Sequence, residues 1–335
     1  MRRLLVSLLA ISGWAQVPLP PPVSTDPGPI RPEIRVAPGQ IVPLHLSGVR
    51  LLEPRFSYQY VNAPEGPSLP LSLAGVSVSI SPSYVGPPSM QRAFEFLPIL
   101  SIEQWPNLCT ENPPLDQCQY SVITVHIPPD LSPSAMTPIA PQPALMLIRA
   151  AGRETARLPI IVDGRRPHIL TSCDRPGPSR ADSCIPILTS QSGRPLRTPG
   201  QMSGEEPTSG EVVIIYASGL GLTEPVAPVG RPVVRATPLR DPLVLHLDWL
   251  AENGNIIESQ DVQPEYSGLA PGFVGLYQIN MRIPDSPANV PACRCQDPAI
   301  CGGGGLSNLR IGIRGPSRVE TVEICTRPKL AVGSR

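Results

Sequence analysis

The chain has 335 residues and no formal net charge, with 47 prolines, 4% aromatic residues and 16% charged residues. Proline at about three times its average usage breaks helices and central strands alike, which excludes long amphipathic helices. The balanced charge, with no Lys/Arg stripe, excludes the electrostatic footprint of a nucleic-acid binder, and the length suits two domains, each with its own core.

Residues 1–15 read as a secretory signal. Arg2 and Arg3 supply positive charge, residues 4–11 an apolar stretch, and Gly13-Trp14-Ala15 sets small residues where a signal peptidase inspects the chain, with cleavage after Ala15. That stretch is too short to span a bilayer, and no later segment approaches the roughly 20 apolar residues a spanning helix needs. The mature product is therefore expected to be exported, with no transmembrane segment. Residues 16–38, containing VPLPPPVSTDPGPIRPE, form a polyproline-like spacer with little to bury.

A first β region is expected over 39–165. In APGQIVPLHLSGV, Val42, Leu44 and Leu46 alternate with Pro43 and His45, and Pro43 marks an edge strand. Further strands are expected over 75–80 and 121–127, and a hairpin over 144–162 turns near Ala151 and Gly152. Residues 166–208 read as a connector with a short strand near 187–190. A second region, 209–328, precedes a tail at 329–335 and repeats the plan of the first. TSGEVVIIYASGLGL answers to APGQIVPLHLSGVRL, YQINMRIPDSP to ITVHIPPDLSP, and LRIGIRGPSRVETVEIC to LMLIRAAGRETARLPIIV. Three correspondences in one order argue for two related β domains. Within the second, Leu243, Leu245, Leu247 and Trp249 form one strand face, and Asn253-Gly254 predicts a type I′ hairpin turn. In GLAPGFVGLYQINMRIP, Gly268, Pro271, Gly272 and Gly275 predict a turn aiming Tyr277 and its alternating successors into a sheet.

GEVVIIYASGLGLTEPV and GLAPGFVGLYQINMRIP resemble the two signature blocks of the Solibacter-type C-terminal domain family of secreted acidobacterial proteins. APGQIVPLHLSGV and LAGVSVSI resemble segments that precede that domain. The resemblance implies an immunoglobulin-like β-sandwich, and it supplies no activity or catalytic residues to carry over. The cysteines, the Asn253 hairpin and the CGGGG segment depart from the family pattern.

Eight cysteines in an exported chain point to disulfides. Local pairing joins Cys109 with Cys118 and Cys173 with Cys184. Among Cys293, Cys295, Cys301 and Cys325 three connectivities stand open, the most economical pairing Cys295 with Cys301 and Cys293 with Cys325. CRCQDPAIC has thiol spacing that would suggest zinc in a cytosolic protein, and export turns that reading to disulfides, so no metal or cofactor is expected. His45, His126, His168 and His246 are scattered singly, three of them on outward strand faces, as surface histidines would be. Ser218 lies in YASGLG without a G-x-S-x-G elbow, and GLG is far short of a dinucleotide fingerprint.

These observations describe an all-β, secreted or envelope-held, non-enzymatic interaction or adhesion protein of two tandem immunoglobulin-like sandwiches with loop disulfides. Its partner would be a protein or a polysaccharide. The alternatives are a carbohydrate-binding module and a secreted hydrolase with an unrecognised site. The exposed aromatic contacts expected for binding are Trp105, Trp249, Tyr266 and Phe273.

Overall fold

The computed structural model describes residues 23–24, 34–53, 58–81, 95–106, 119–134, 143–174, 184–199, 204–293 and 307–328. They form twenty strands and one 3-10 turn at Ser172–Asp174. The first ten are β1 (Val23–Ser24), β2 (Ile34–Val36), β3 (Ile41–Ser47), β4 (Gln59–Asn62), β5 (Val76–Ser81), β6 (Glu95–Phe96), β7 (Ile99–Pro106), β8 (Gln119–His126), β9 (Ala144–Ala150) and β10 (Arg153–Val162). The second ten are β11 (His168–Ile169), β12 (Leu188–Ser190), β13 (Val212–Ser218), β14 (Thr237–Pro238), β15 (Leu245–Leu250), β16 (Ile256–Val262), β17 (Tyr266–Leu269), β18 (Tyr277–Arg282), β19 (Leu309–Arg314) and β20 (Val319–Ile324).

Four sheets result. Their orders are β1-β3-β8-β7-β4, β2-β10-β9-β5-β6, β11-β13-β18-β17-β14 and β16-β15-β19-β20, with β12 also on β13. The first two sheets enclose one apolar cluster drawn from residues between Ile34 and Val162, and the other two enclose a second, between Ile169 and Ile324. Alternation explains both: Val42, Leu44 and Leu46 on β3 and Ile279 and Met281 on β18 are buried, with their neighbours turned outward. β3 is not the edge strand that Pro43 predicts, because β1 adds beyond it. β1 flanks β3 only at Leu46 and His45, so among the described residues Pro43 bonds on one side alone, to β8.

Turn chemistry departs from expectation at one point. At the tip between β15 and β16 only Gly254 is left-handed (φ 79°), and Ala251 and Asn255 close a longer loop, so no type I′ turn forms at Asn253-Gly254. The two-residue turns with both central residues left-handed are Ala74-Gly75 (φ 48° and 79°) and Ala151-Gly152 (φ 48° and 75°). The GLAPGFVGLYQ segment is split between a strand and a turn. Gly268 lies within β17, where an added Cβ would stand 2.2 Å from the Thr237 carbonyl oxygen, and Gly272 and Gly275 make the left-handed turn into β18.

Polar backbone contacts join the two halves. Gly219 accepts from Arg166 N at 2.7 Å, and Arg165 donates to the carbonyls of Leu220 and Asp241. Gly230 donates to His126 Nδ1 at 3.1 Å and accepts from Leu69 N at 2.8 Å. Asp163 takes Arg35 on one oxygen and Ser317 on the other.

Candidate functional site

The outward face of the first sheet carries a row of aromatic rings set by strand register. Trp105 on β7 pairs with Tyr120 on β8, and Tyr58 stands just ahead of β4, whose next residue, Gln59, faces Gln104. Ring centroids lie 6.2 Å apart for Tyr58 and Trp105 and 4.8 Å apart for Trp105 and Tyr120, with planes tilted by 36° and 50°. His45 on β3 extends the row, its Nδ1 in a 2.5 Å hydrogen bond with the Tyr120 hydroxyl. A polar row runs beside it, where Tyr60 faces Glu103 and Glu103 faces Val122. Burial first, and the Glu103 carboxylate second, raise the pKa of both Tyr58 and Tyr60, so their hydroxyls stay protonated donors.

The inward residues of the same strands hold this surface in place. Gln104 is buried, its Oε1 accepting from the backbone N–H groups of Leu51 and Leu52 and its Nε2 donating to the Leu52 carbonyl. Ser121 donates to the Val49 carbonyl at 2.8 Å. Two buried polar side chains thus pin residues 49–52 against the sheet, each bond being costly to leave unmade. The pinned segment forms one wall of an open cleft of about 680 Å³, lined by Leu52, Glu53, Tyr58, Tyr60 and the turn residues Ala74 and Ala151. Its size is that of a small-ligand site. The chain has only three tryptophans, seven tyrosines and four phenylalanines, and it places Tyr58, Tyr60, Trp105 and Tyr120 on this one face.

The four expected contact residues are not brought together. Trp105 lies in the row, whereas Trp249 is 1% exposed within the second core and offers no face to a ligand. Its place follows from the alternation that also buries Leu245 and Leu247. Tyr266 is half-buried, with its hydroxyl donating to the Leu269 carbonyl, and Phe273 is 56% exposed on the turn before β18. Sequence alone does not single out Tyr58, Tyr60 or Tyr120. Alternation along β8 is the one signal in the sequence for Tyr120, and it says nothing of Tyr58, ahead of β4, or of Tyr60 within it.

The histidines depart further from expectation. His45 and His126 are both buried, His45 against Tyr120 and His126 beneath Gly230 of the second half of the chain. Burial lowers the pKa of His126 to about 4, only partly offset by a hydrogen bond with Gly39, so its ring is neutral at pH 7. His168 faces Asp174 at 2.9 Å through Nε2, and Glu320 at 3.4 Å through Nδ1, a contact that is ionic rather than a well-directed hydrogen bond. Burial alone would lower its pKa, but the two carboxylates outweigh that and raise it to about 9. His168 is opposite Ser218 across the β11/β13 pairing, yet as an imidazolium held by carboxylates it has no lone pair to take a proton from that hydroxyl. His246 contacts Asp248 and Asp261 on the outer face of β15 and β16. Glu205 and Glu206 are paired with Arg194 and Arg197.

Cys173 and Cys184 form a disulfide, with Cα atoms 5.1 Å apart. Cys109, Cys118, Cys295 and Cys301 lie outside the described residues. Cys293 and Cys325 are both buried, with their thiols hydrogen-bonded to each other. Among the described residues no group of three or more His, Cys, Asp or Glu side chains is arranged to hold a metal ion, and no helix is long and apolar enough to cross a membrane. No family model and no curated protein matches the chain.

Proposed function

We propose that the protein is an exported, non-enzymatic interaction or adhesion protein of two tandem immunoglobulin-like sandwiches, related to the Solibacter-type domain proteins. Its contact surface is the Tyr58–Trp105–Tyr120 row and the adjoining cleft. One observation carries this reading: an aromatic-poor chain concentrates four large rings on one outward sheet face beside a ligand-sized cleft. Rigid aromatics with a polar tip give contact area at low entropic cost, which is why they dominate binding surfaces. The loop aromatic Phe273 is separate from this surface and belongs to the second half.

The same row favours polysaccharide over protein as the partner. Tilted rings at successive strand spacings suit a chain of pyranose rings stacking along them, with the half-exposed Tyr60 positioned to meet hydroxyl groups. Retention on insoluble polysaccharides, with Trp105→Ala and Tyr58→Ala as variants, tests the reading. Retention is expected in the wild type and lost in both variants while circular dichroism is unchanged. Equal retention by wild type and variants would remove the row from the binding surface. Export is tested separately by N-terminal sequencing of secreted protein, expected to begin at Gln16.

A further inference from the structure

We propose that Cys293 and Cys325 are the site of a disulfide that locks the end of β20 onto the segment following β18. This goes beyond the binding role and does not depend on it. From sequence alone, three connectivities stand open among the last four cysteines. Among the described residues the structure sets Cys293 against Cys325.

Both sulfurs are buried, Cys293 at 9% exposure and Cys325 at 0%, and they touch each other. Their backbones are fixed by contacts that owe nothing to sulfur. The buried Asn308 side chain donates from Nδ2 to the carbonyls of Pro291 (3.0 Å) and Thr326 (2.8 Å), and its Oδ1 accepts from the N–H and hydroxyl of Thr326. One amide thus clamps the residue two before Cys293 to the residue just after Cys325. From the other side, the Cys325 N–H donates to the Arg197 carbonyl at 3.0 Å, and the Arg197 guanidinium is paired with Glu206 at 2.5 Å. The backbone on either side of the paired thiols is thus held by bonds that do not involve sulfur.

A two-step exchange makes the bond, and either thiol can open it as its thiolate; in one order that thiolate is Cys325. It attacks one sulfur of a donor disulfide, of low molecular weight or on an oxidoreductase, and the donor S–S bond breaks as its second sulfur leaves as a thiolate. Cys293 then gives its proton to solvent and attacks the Cys325 sulfur of the mixed disulfide, expelling the first donor sulfur. Two electrons pass to the donor, which ends as two thiols, and the protein loses two hydrogen atoms. Because both sulfurs are buried, the exchange runs while the chain is folding, and the folded clamp then keeps the pair.

The test is peptide mapping of the purified full chain, refolded in glutathione buffers from reducing to oxidising and then alkylated. Tryptic cleavage after Arg294 separates Cys293 from Cys295. The expected product at the oxidising end is the peptide 283–294 linked to 319–329, resolved by reduction. Linkage of either cysteine to Cys295 or Cys301, or full alkylation of both at the oxidising end, overturns the proposal. Thermal melting of Cys293→Ser supplies a second readout. A disulfide predicts a lowered Tm relative to wild type in oxidising buffer and a much smaller difference in reducing buffer. An equal loss in both buffers means that the thiols only pack, and overturns it too.

Discussion

A side chain at Gly39 would place its Cβ 2.5 Å from the hydroxyl oxygen of Tyr277, two residues from different halves of the chain. Tyr277 reaches this point from β18, is 1% exposed, and donates to the Gly221 carbonyl at 2.6 Å. Gly275 makes the same demand nearby, since its Cβ would meet Ile41 Cγ1 at 2.8 Å. Gly275 therefore serves the junction as well as the turn. Gly39→Ala is expected to lower unfolding free energy by about 2–4 kcal/mol, because a left-handed Ala (φ 70°) adds strain to a clash. Tyr277→Phe removes only the hydrogen bond and is expected to cost about 1–3 kcal/mol by leaving the Gly221 carbonyl unpaired. Urea denaturation of the two variants checks the order.

The junction should also be acid-labile through His126. Its folded pKa of about 4 lies below the ordinary value of 6.5. Above pH 6.5 both the folded and the unfolded states hold a neutral ring, and nothing is lost. As pH falls from 6.5 toward 4 the unfolded chain takes up a proton that the folded one refuses, removing about 3 kcal/mol of stability. A glutamine at 126 has no such proton to gain. Tm measured from pH 7.5 to 4 should fall less steeply in His126→Gln than in the wild type, and parallel profiles would refute this role for His126.

His168 predicts the opposite slope at higher pH. Its pKa is raised to about 9 by Asp174 and Glu320 against the effect of burial. The stabilisation is fully present below pH 6.5 and is lost as pH rises through 9, because the unfolded chain gives up its proton first. Asp174 and Glu320 both have lowered pKa values, with the charge of His168 outweighing their burial. His168→Gln should flatten the alkaline limb of a Tm profile between pH 6.5 and 9 and leave the acid limb of His126 in place.

Much of the architecture is legible in the sequence where alternation is clean. β3, β5, β8, β13, β15 and β18 coincide with the expected ranges to within a few residues; β18 alternates strictly, whereas the others also bury outward residues such as His45, Ser79, Val122 and Asp248. β7 escapes notice because its inward Gln104 is polar. It is buried to bond the Leu51 and Leu52 backbone, a demand from another segment that no local pattern encodes. The aromatic row escapes for a related reason: Tyr58, Trp105 and Tyr120 become neighbours only through register. His126 does lie on the outward face of its strand, as alternation implies, but the other half of the chain lies over that face.

The turns at Ala74-Gly75 and Ala151-Gly152 carry a cost that substitution can remove. Both alanines sit at φ 48°, where a Cβ is disfavoured, and the Ala151 N–H donates to the Gly75 carbonyl, tying the two tips together beside the cleft. Asparagine tolerates the left-handed region better than alanine and keeps the N–H. Ala74→Asn and Ala151→Asn are each expected to raise stability by about 0.5–1 kcal/mol, seen as a higher urea midpoint with unchanged slope.

Trp105 and Trp249 should separate surface from core. Trp249 is enclosed with Leu245, Leu247 and Ile311 in the second core, so Trp249→Ala is expected to cost about 3–5 kcal/mol. Its indole N–H is buried without a hydrogen-bond partner, so Trp249→Phe gives up volume but no hydrogen bond and should cost markedly less. Trp105→Ala removes a half-exposed ring from an outward row and should cost about 1 kcal/mol in lost cross-strand contact with Tyr58 and Tyr120. Acrylamide quenching in a Trp14→Phe background gives the matching spectroscopic contrast: fluorescence of the Trp105→Phe variant, reporting Trp249, should resist the quencher, and that of Trp249→Phe should not. Equal quenching of the two would place Trp249 at the surface and remove the distinction on which the choice of contact face rests.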